Sequence, residues 1–192
     1  MKTNRFLAAG LGVALLLTQL TLAQNPGNAM MKSMQSGMNK MMSMKMTGDP
    51  DHDFAMMLKM HHQSAVEMAD LEIKQGMNAS VKALATRIKA TNQKEIKELD
   101  QFLNSHKPMS SSSTLGKTGM AVMHSRTHSM TGKVDHDFAS MMAQHHQQGV
   151  DMARAFLKEA KTPTMKMLAN NVIKQQTKEI GELKKLENSL KG

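Results

Sequence analysis

The chain has 192 residues, 23 of them methionine and 9 histidine, with no cysteine, tryptophan or tyrosine, and a formal charge of +9. Without thiols there are no disulfides, thiolate metal sites or cysteine nucleophiles, and thioether and imidazole are left as the soft donors. The lysines are spread along helical faces without an arginine cluster or rings for base stacking, so the charge reads as solvated surface and nucleic acid is not an expected partner.

Residues 1–23 read as a secretory signal. Lys2 and Arg5 form a charged start, Phe6 to Leu22 a mostly apolar stretch, and Thr21-Leu22-Ala23 a small-x-small cleavage site before Gln24. Gly10, Gly12, Thr18 and Gln19 interrupt the apolar run, which falls short of the ~20 residues a membrane span needs. A soluble periplasmic or secreted protein is expected, with no stable membrane insertion after cleavage.

Residues 24–48 carry Met30, Met31, Met34, Met38, Met41, Met42, Met44 and Met46 among Lys, Ser, Gly and Asn. Low in aliphatic residues, this segment is expected to be flexible, gathering two or three sulfurs round one ion through its Met-x-x-Met and Met-x-Met spacings.

A duplication at an offset of 84 residues organises the rest. Asp51-His52-Asp53-Phe54-Ala55 recurs as Asp135-His136-Asp137-Phe138-Ala139, and His61-His62-Gln63 as His145-His146-Gln147. Over 51–102 and 135–186 there are 21 identities in 52 positions without a gap, so two copies of one supersecondary unit are expected. Each copy reads as a helical hairpin. In the first, Asp49 is the expected N-cap with Pro50 at the first helical position, and Phe54, Met57, Leu58, His61, His62, Ala65, Met68, Ala69 and Ile73 share a face. Val81, Leu84, Ala85, Ile88, Ile96, Leu99 and Phe102 form the apolar stripe of the second helix, broken at Asn92, and Thr162-Pro163 is the matching start signal in the second copy. One hairpin cannot bury such stripes but two packed together can. The expectation is an all-α, ferritin-like four-helix bundle with spans near 50–76, 78–104, 134–160 and 162–189. It divides as hairpin 49–104, a Met/His/Ser-rich linker 105–133 and hairpin 134–192, with the linker expected to be mobile and, at that length, functional.

Met57, His61 and Met68 lie within about 40° of one another on a helix, a Met–His–Met ladder that Met141, His145 and Met152 repeat. His52 and His136 precede these by about two and a half turns. Methionine also fills irregular cores, so a plain packing role stands beside the ligand role for these positions. His61 and His62 point about 100° apart, as do His145 and His146, so one of each pair is expected to face a site, His61 and His145 preferentially. Thioether and imidazole together suit Cu(I) and Ag(I), with Cu(II) at a histidine-based site.

Enzyme chemistry finds little support. Neither the Glu-x-x-His of ferritin-like di-iron sites nor the His-Glu-x-x-His of zinc proteases occurs. Asp51, Asp53, Asp135 and Asp137 read as first-turn acids complementing helix dipoles.

The Asp-x-x-Phe starts, each followed by His-His, resemble a bacterial domain of unknown function numbered 305. Asp51, Phe54, Met57, His61, His62, Ala65, Met68 and Ala69 match its pattern in the first copy; in the second, Gly149 stands in place of the alanine, which reads as a conservative change. Met60 has Gln144 as its counterpart, so the two copies differ at that position. The resemblance implies a ferritin-like bundle and, for exported members of the CopM type, periplasmic copper or silver binding with His and Met ligands. A non-catalytic protein that sequesters metal, or passes it to an envelope copper transporter or chaperone, is therefore expected. The rival is a helical scaffold whose Met-rich tail docks an apolar partner.

Overall fold

The computed structural model describes residues 26–109, 113–116, 121 and 130–191. The expected leader, and His124 and His128 of the linker, lie outside the described residues.

Five long helices are present among the described residues: α1 (Pro26–Met42), α2 (Pro50–Gln75), α3 (Ala79–Ser105), α4 (Val134–Leu157) and α5 (Pro163–Ser189). The all-α bundle of two hairpins is as read from the sequence: α2 packs along α3 and α4 along α5, while α2 against α4 joins the hairpins. Helices α3 and α5 flank this pair and barely meet. No described helix is long and apolar enough to cross a membrane.

The start signals operate as their chemistry requires. The Asp49 carboxylate accepts from the backbone N–H of Asp51 and His52, Asn78 caps α3 through the N–H of Ser80 and Val81, and Thr162 caps α5 through Met165 N–H. The first-turn acids do more than complement a dipole. Asp53 accepts from Thr47 N–H, Thr47 Oγ1–H and Gly48 N–H at 2.7–2.9 Å, and Asp137 binds Thr131 and Gly132 in the same way. Gly48 and Gly132 have φ of 85° and 81°, a left-handed turn that glycine adopts without strain. Asp51 and Asp135 reach across to the opposite hairpin. Asp51 accepts from Lys161 N–H (3.0 Å) and Thr162 N–H (2.7 Å), and Asp135 from Met77 N–H and Asn78 N–H. Each hairpin thus clasps the turn of the other.

The segment 24–48 departs from expectation, because Pro26–Met42 is helical rather than flexible. Met30, Met34 and Met41 are spaced four and seven apart and are buried, with Met31 and Met38 packed at the edges. The helix is held by the groove between α2 and α4, where its thioethers leave water. Gly37 allows the close approach: a Cβ there would lie 2.8 Å from Ser64 Cβ of α2. Gly37→Leu is expected to lift α1 and speed proteolysis at Lys32 and Lys40, read by timed trypsin digestion, while the helical content of α2–α5 is unchanged. Parts of the linker are also anchored. Met109 N–H and the His106 ring bind Asp49, Ser113 and Thr114 bind Glu159, and Leu115 is buried.

One buried acid beside the Asp135 clasp carries a pH signature. Burial, and then its contact with Asp135, pushes the Glu72 carboxyl up to about 8 from its ordinary 4.5. The folded state therefore holds a proton that the unfolded chain releases. Stability contributed by protonated Glu72 is complete below pH 4.5 and is lost as pH rises to about 8. Urea midpoints of the wild type should fall across that window, and those of Glu72→Gln should stay flatter.

Candidate metal centre

At the middle of the bundle, α2 and α4 cross with His61 and His145 face to face, their ring centroids 3.7 Å apart and planes inclined by 27°. Both rings are buried. His61 Nε2 lies 3.0 Å from the backbone oxygen of His145. A carbonyl can only accept, so Nε2 carries the proton and donates it. The Nδ1 atoms of His61 and His145 are buried without a hydrogen-bond partner. Burial, with the neighbouring histidines, holds both rings well below the ordinary imidazole pKa, so at neutral pH each is uncharged and keeps a nitrogen lone pair.

The second histidine of each pair turns the other way. His62 Nε2 is 2.7 Å from Glu95 Oε2 on α3, and His146 Nε2 is 2.8 Å from Glu179 Oε2 on α5. Burial opposes the charge on Glu179, but contact with His146 and the Gln175 amide outweighs it and holds the pKa below the ordinary value. These carboxylates were not among the residues singled out in the sequence, although a signal was available. Ile88, Asn92, Glu95 and Leu99 follow heptad spacing and are all buried, as are Val172, Gln176, Glu179 and Leu183 in the second copy. Polar residues held twice on an inward stripe mark partners for a buried polar layer.

Over the His61–His145 pair lies α1. A small cavity of about 10 Å³ is lined by Met34, Gly37, Met38, Met41, His61, Ser64, His145 and Gln148. It has room for scarcely one water. Three methionines of α1 and one histidine of each hairpin thus line the same small cavity.

The ladder methionines are elsewhere. Because the hairpins run antiparallel, Met57 and Met152 share one apolar cluster with Met41, Phe54 and Phe156, whereas Met68 and Met141 share the other with Met30, Met34 and Phe138. The histidine layer lies between the two clusters, and none of the four ladder methionines lines the cavity. Met44 and Met46 pack half-buried against the first of these clusters and Met42 is exposed. His52 and His136 lie at opposite ends of the central pair, His136 with Nε2 4.0 Å from Glu187. Among the described residues, no three His, Asp or Glu side chains are grouped to hold a metal. The soft donors that line the cavity are the three methionines and two histidines, beside the Ser64 hydroxyl and the Gln148 amide.

Residues 51–187 match the family described as Domain of unknown function (DUF305). The chain belongs to the DUF305 family. Solved structures similar to this DUF305 chain include CopM in the Ag-bound form, with 26% identity, 74% of this chain and 98% of that chain covered, and a TM-score of 0.59. CopM in the Cu(I)-bound form is similar at 27% identity over the same shares, with a TM-score of 0.58. A DUF305 fragment from Deinococcus radiodurans, at 18% identity over 73% of this chain and 97% of that one (TM-score 0.57), shares the fold. Among curated proteins there is no match.

Proposed function

We propose that this DUF305 protein binds Cu(I), with Ag(I) as its mimic, at the centre formed by Met34, Met38, Met41, His61 and His145, and that it buffers or hands on the metal in the cell envelope without catalysing a reaction. The lining of one small buried cavity by three methionines and two uncharged histidines carries the reading. Uncharged, polarizable donors suit a soft monovalent ion, whereas a hard divalent cation would keep its water and seek carboxylates. The cavity is too small for a hydrated ion, so entry requires exchange of water for thioether. Met38, half-buried at the rim, and exposed Met42 one turn on are placed to make that exchange. Silver and Cu(I) bound to CopM, a neighbour of the same fold, support the choice of metal. Cu(II) bound to CopM in a further structure supports a second, histidine-based mode, for which His52 and His136 are the candidates. Export is supported by the charged start, apolar run and cleavage signal of residues 1–23, and an envelope transporter or chaperone is the partner this location suggests. The rival scaffold reading is weakened because Met30, Met34 and Met41 are buried against the chain's own helices and are unavailable to a partner.

Anaerobic Cu(I) titration of the protein from Gln24 onward against a chromogenic chelator, with Zn(II) in parallel, tests the proposal. Competition for Cu(I) and none for Zn(II) is expected; a protein that leaves the chelator fully loaded would refute it.

A further inference from the structure

We propose that the two copies of the repeat are unequal as ligands: His61 offers Nδ1 alone, because its Nε2–H is committed to the His145 carbonyl, and Gly149 is the positioning residue that permits this. The inference rests on the metal-binding reading for its consequence but not for its geometry. A helical carbonyl is ordinarily occupied by the N–H four residues on and shielded by that residue's side chain. Residue 149 stands four after His145, and it is glycine. A Cβ there would lie 2.9 Å from His61 Cε1 and 2.3 Å from Gln176 Oε1. The Gln176 amide is the far end of a flexible side chain, whereas the His61 ring is stacked on His145 at 3.7 Å and has little freedom to retreat. Alanine at 149 thus presses on the ring that makes the bond. The glycine, which reads from sequence as a conservative change, is what opens the α4 backbone to an imidazole from the other hairpin.

The first copy carries Ala65 at the equivalent position, so a reciprocal bond from His145 to the His61 carbonyl would have to pass a methyl group. The duplication has therefore diverged at the one residue that decides which ring is fixed. A ligating imidazole whose other nitrogen donates to a carbonyl has its tautomer and ring orientation set before the metal arrives. His61 is that preorganised ligand. His145, stacked upon it with an unpartnered Nδ1, supplies the adaptable one.

Long-range 15N–1H spectra of the histidine rings in the metal-free protein at pH 7.5 test the assignment directly. His61 is expected as a single tautomer with protonated Nε2 and bare Nδ1, and Ala65→Gly should leave that signature unchanged. In Gly149→Ala it should give way to mixed tautomers, with Ag(I) affinity reduced about tenfold by competition titration. Gly149→Ala/Gln176→Ala, which removes the amide from the collision, should fold as the wild type does and still show the altered His61 pattern. Protonated Nδ1 on His61 in the wild type, or an unaltered pattern in both Gly149 variants, would overturn the proposal. If the tautomer and its dependence on Gly149 are found but wild type binds neither Ag(I) nor Cu(I), the positioning stands and the metal function falls.

Discussion

Met34, Met38 and Met41 replaced together by leucine should cost the protein ~100-fold in Ag(I) affinity, about 2.7 kcal/mol, while its melting temperature moves by only a few degrees. These side chains serve twice. In the absence of metal they fill the groove over α2 and α4 as apolar bodies, and leucine has nearly the same volume, so α1 should stay docked. As ligands they have no substitute. Two neutral imidazoles alone hold a soft ion less well than a mixed sulfur and nitrogen set, and among the described residues no three His, Asp or Glu side chains are grouped to offer another kind of site. Competition titration with Ag(I), paired with a thermal melt, separates the two roles. Unchanged affinity in the triple variant would mean that the ion sits elsewhere, and a collapsed melt would mean that the thioethers hold α1 in a way leucine cannot.

The second large effect is expected at the clasp between hairpins. Asp51→Ala should destabilise the fold by ~3 kcal/mol, on the scale of losing two hydrogen bonds to a buried charge. Asp51 is buried, and its carboxylate holds two backbone N–H groups 110 and 111 residues away at the start of α5. Removing it orphans the N–H of Lys161 and Thr162 and leaves a space at the junction of α2 with the turn between α4 and α5. Asp51→Asn keeps one acceptor oxygen and should lose about half as much. Urea unfolding measures both. Because the site is formed where the hairpins cross, Asp51→Ala should also weaken Ag(I) binding, though by far less than the loss of the thioethers.

The bundle was legible because its signals were local and repeated. Asp49-Pro50 and Thr162-Pro163 announced helix starts, the apolar stripes required partners, and the offset of 84 residues showed that the partner was a second copy. The 100° step between adjacent helical residues implies that one histidine of each pair faces a site, and the structure places the preferred two, His61 and His145, in contact. What escaped was tertiary. Composition alone made 24–48 look like a flexible tract, yet the spacing of Met30, Met34 and Met41 is that of a helix with one apolar face, and Pro26 stands at its first turn. Lacking leucine or isoleucine, the segment carries its apolar face in thioether, which a reading tuned to aliphatic residues passes over. The Met–His–Met ladder was real as a helical face but misleading as a cluster. Antiparallel packing sends Met57 to Met152 and Met68 to Met141, with the histidines between. Glu95 and Glu179 were given no role from sequence, because their partners His62 and His146 lie on the neighbouring helices α2 and α4. Gly149 reads as a minor substitution unless the ring it accommodates is known, and that ring comes from the other hairpin.

One soft ion shared by α1 and both hairpins should be visible by X-ray absorption at the copper edge of the protein loaded with one equivalent of Cu(I). A first shell of mixed sulfur and nitrogen is expected, with the sulfur lost in the variant carrying leucine at 34, 38 and 41 and the nitrogen reduced in His61→Ala/His145→Ala. A shell of nitrogen and oxygen only, or one unchanged in both variants, would contradict it.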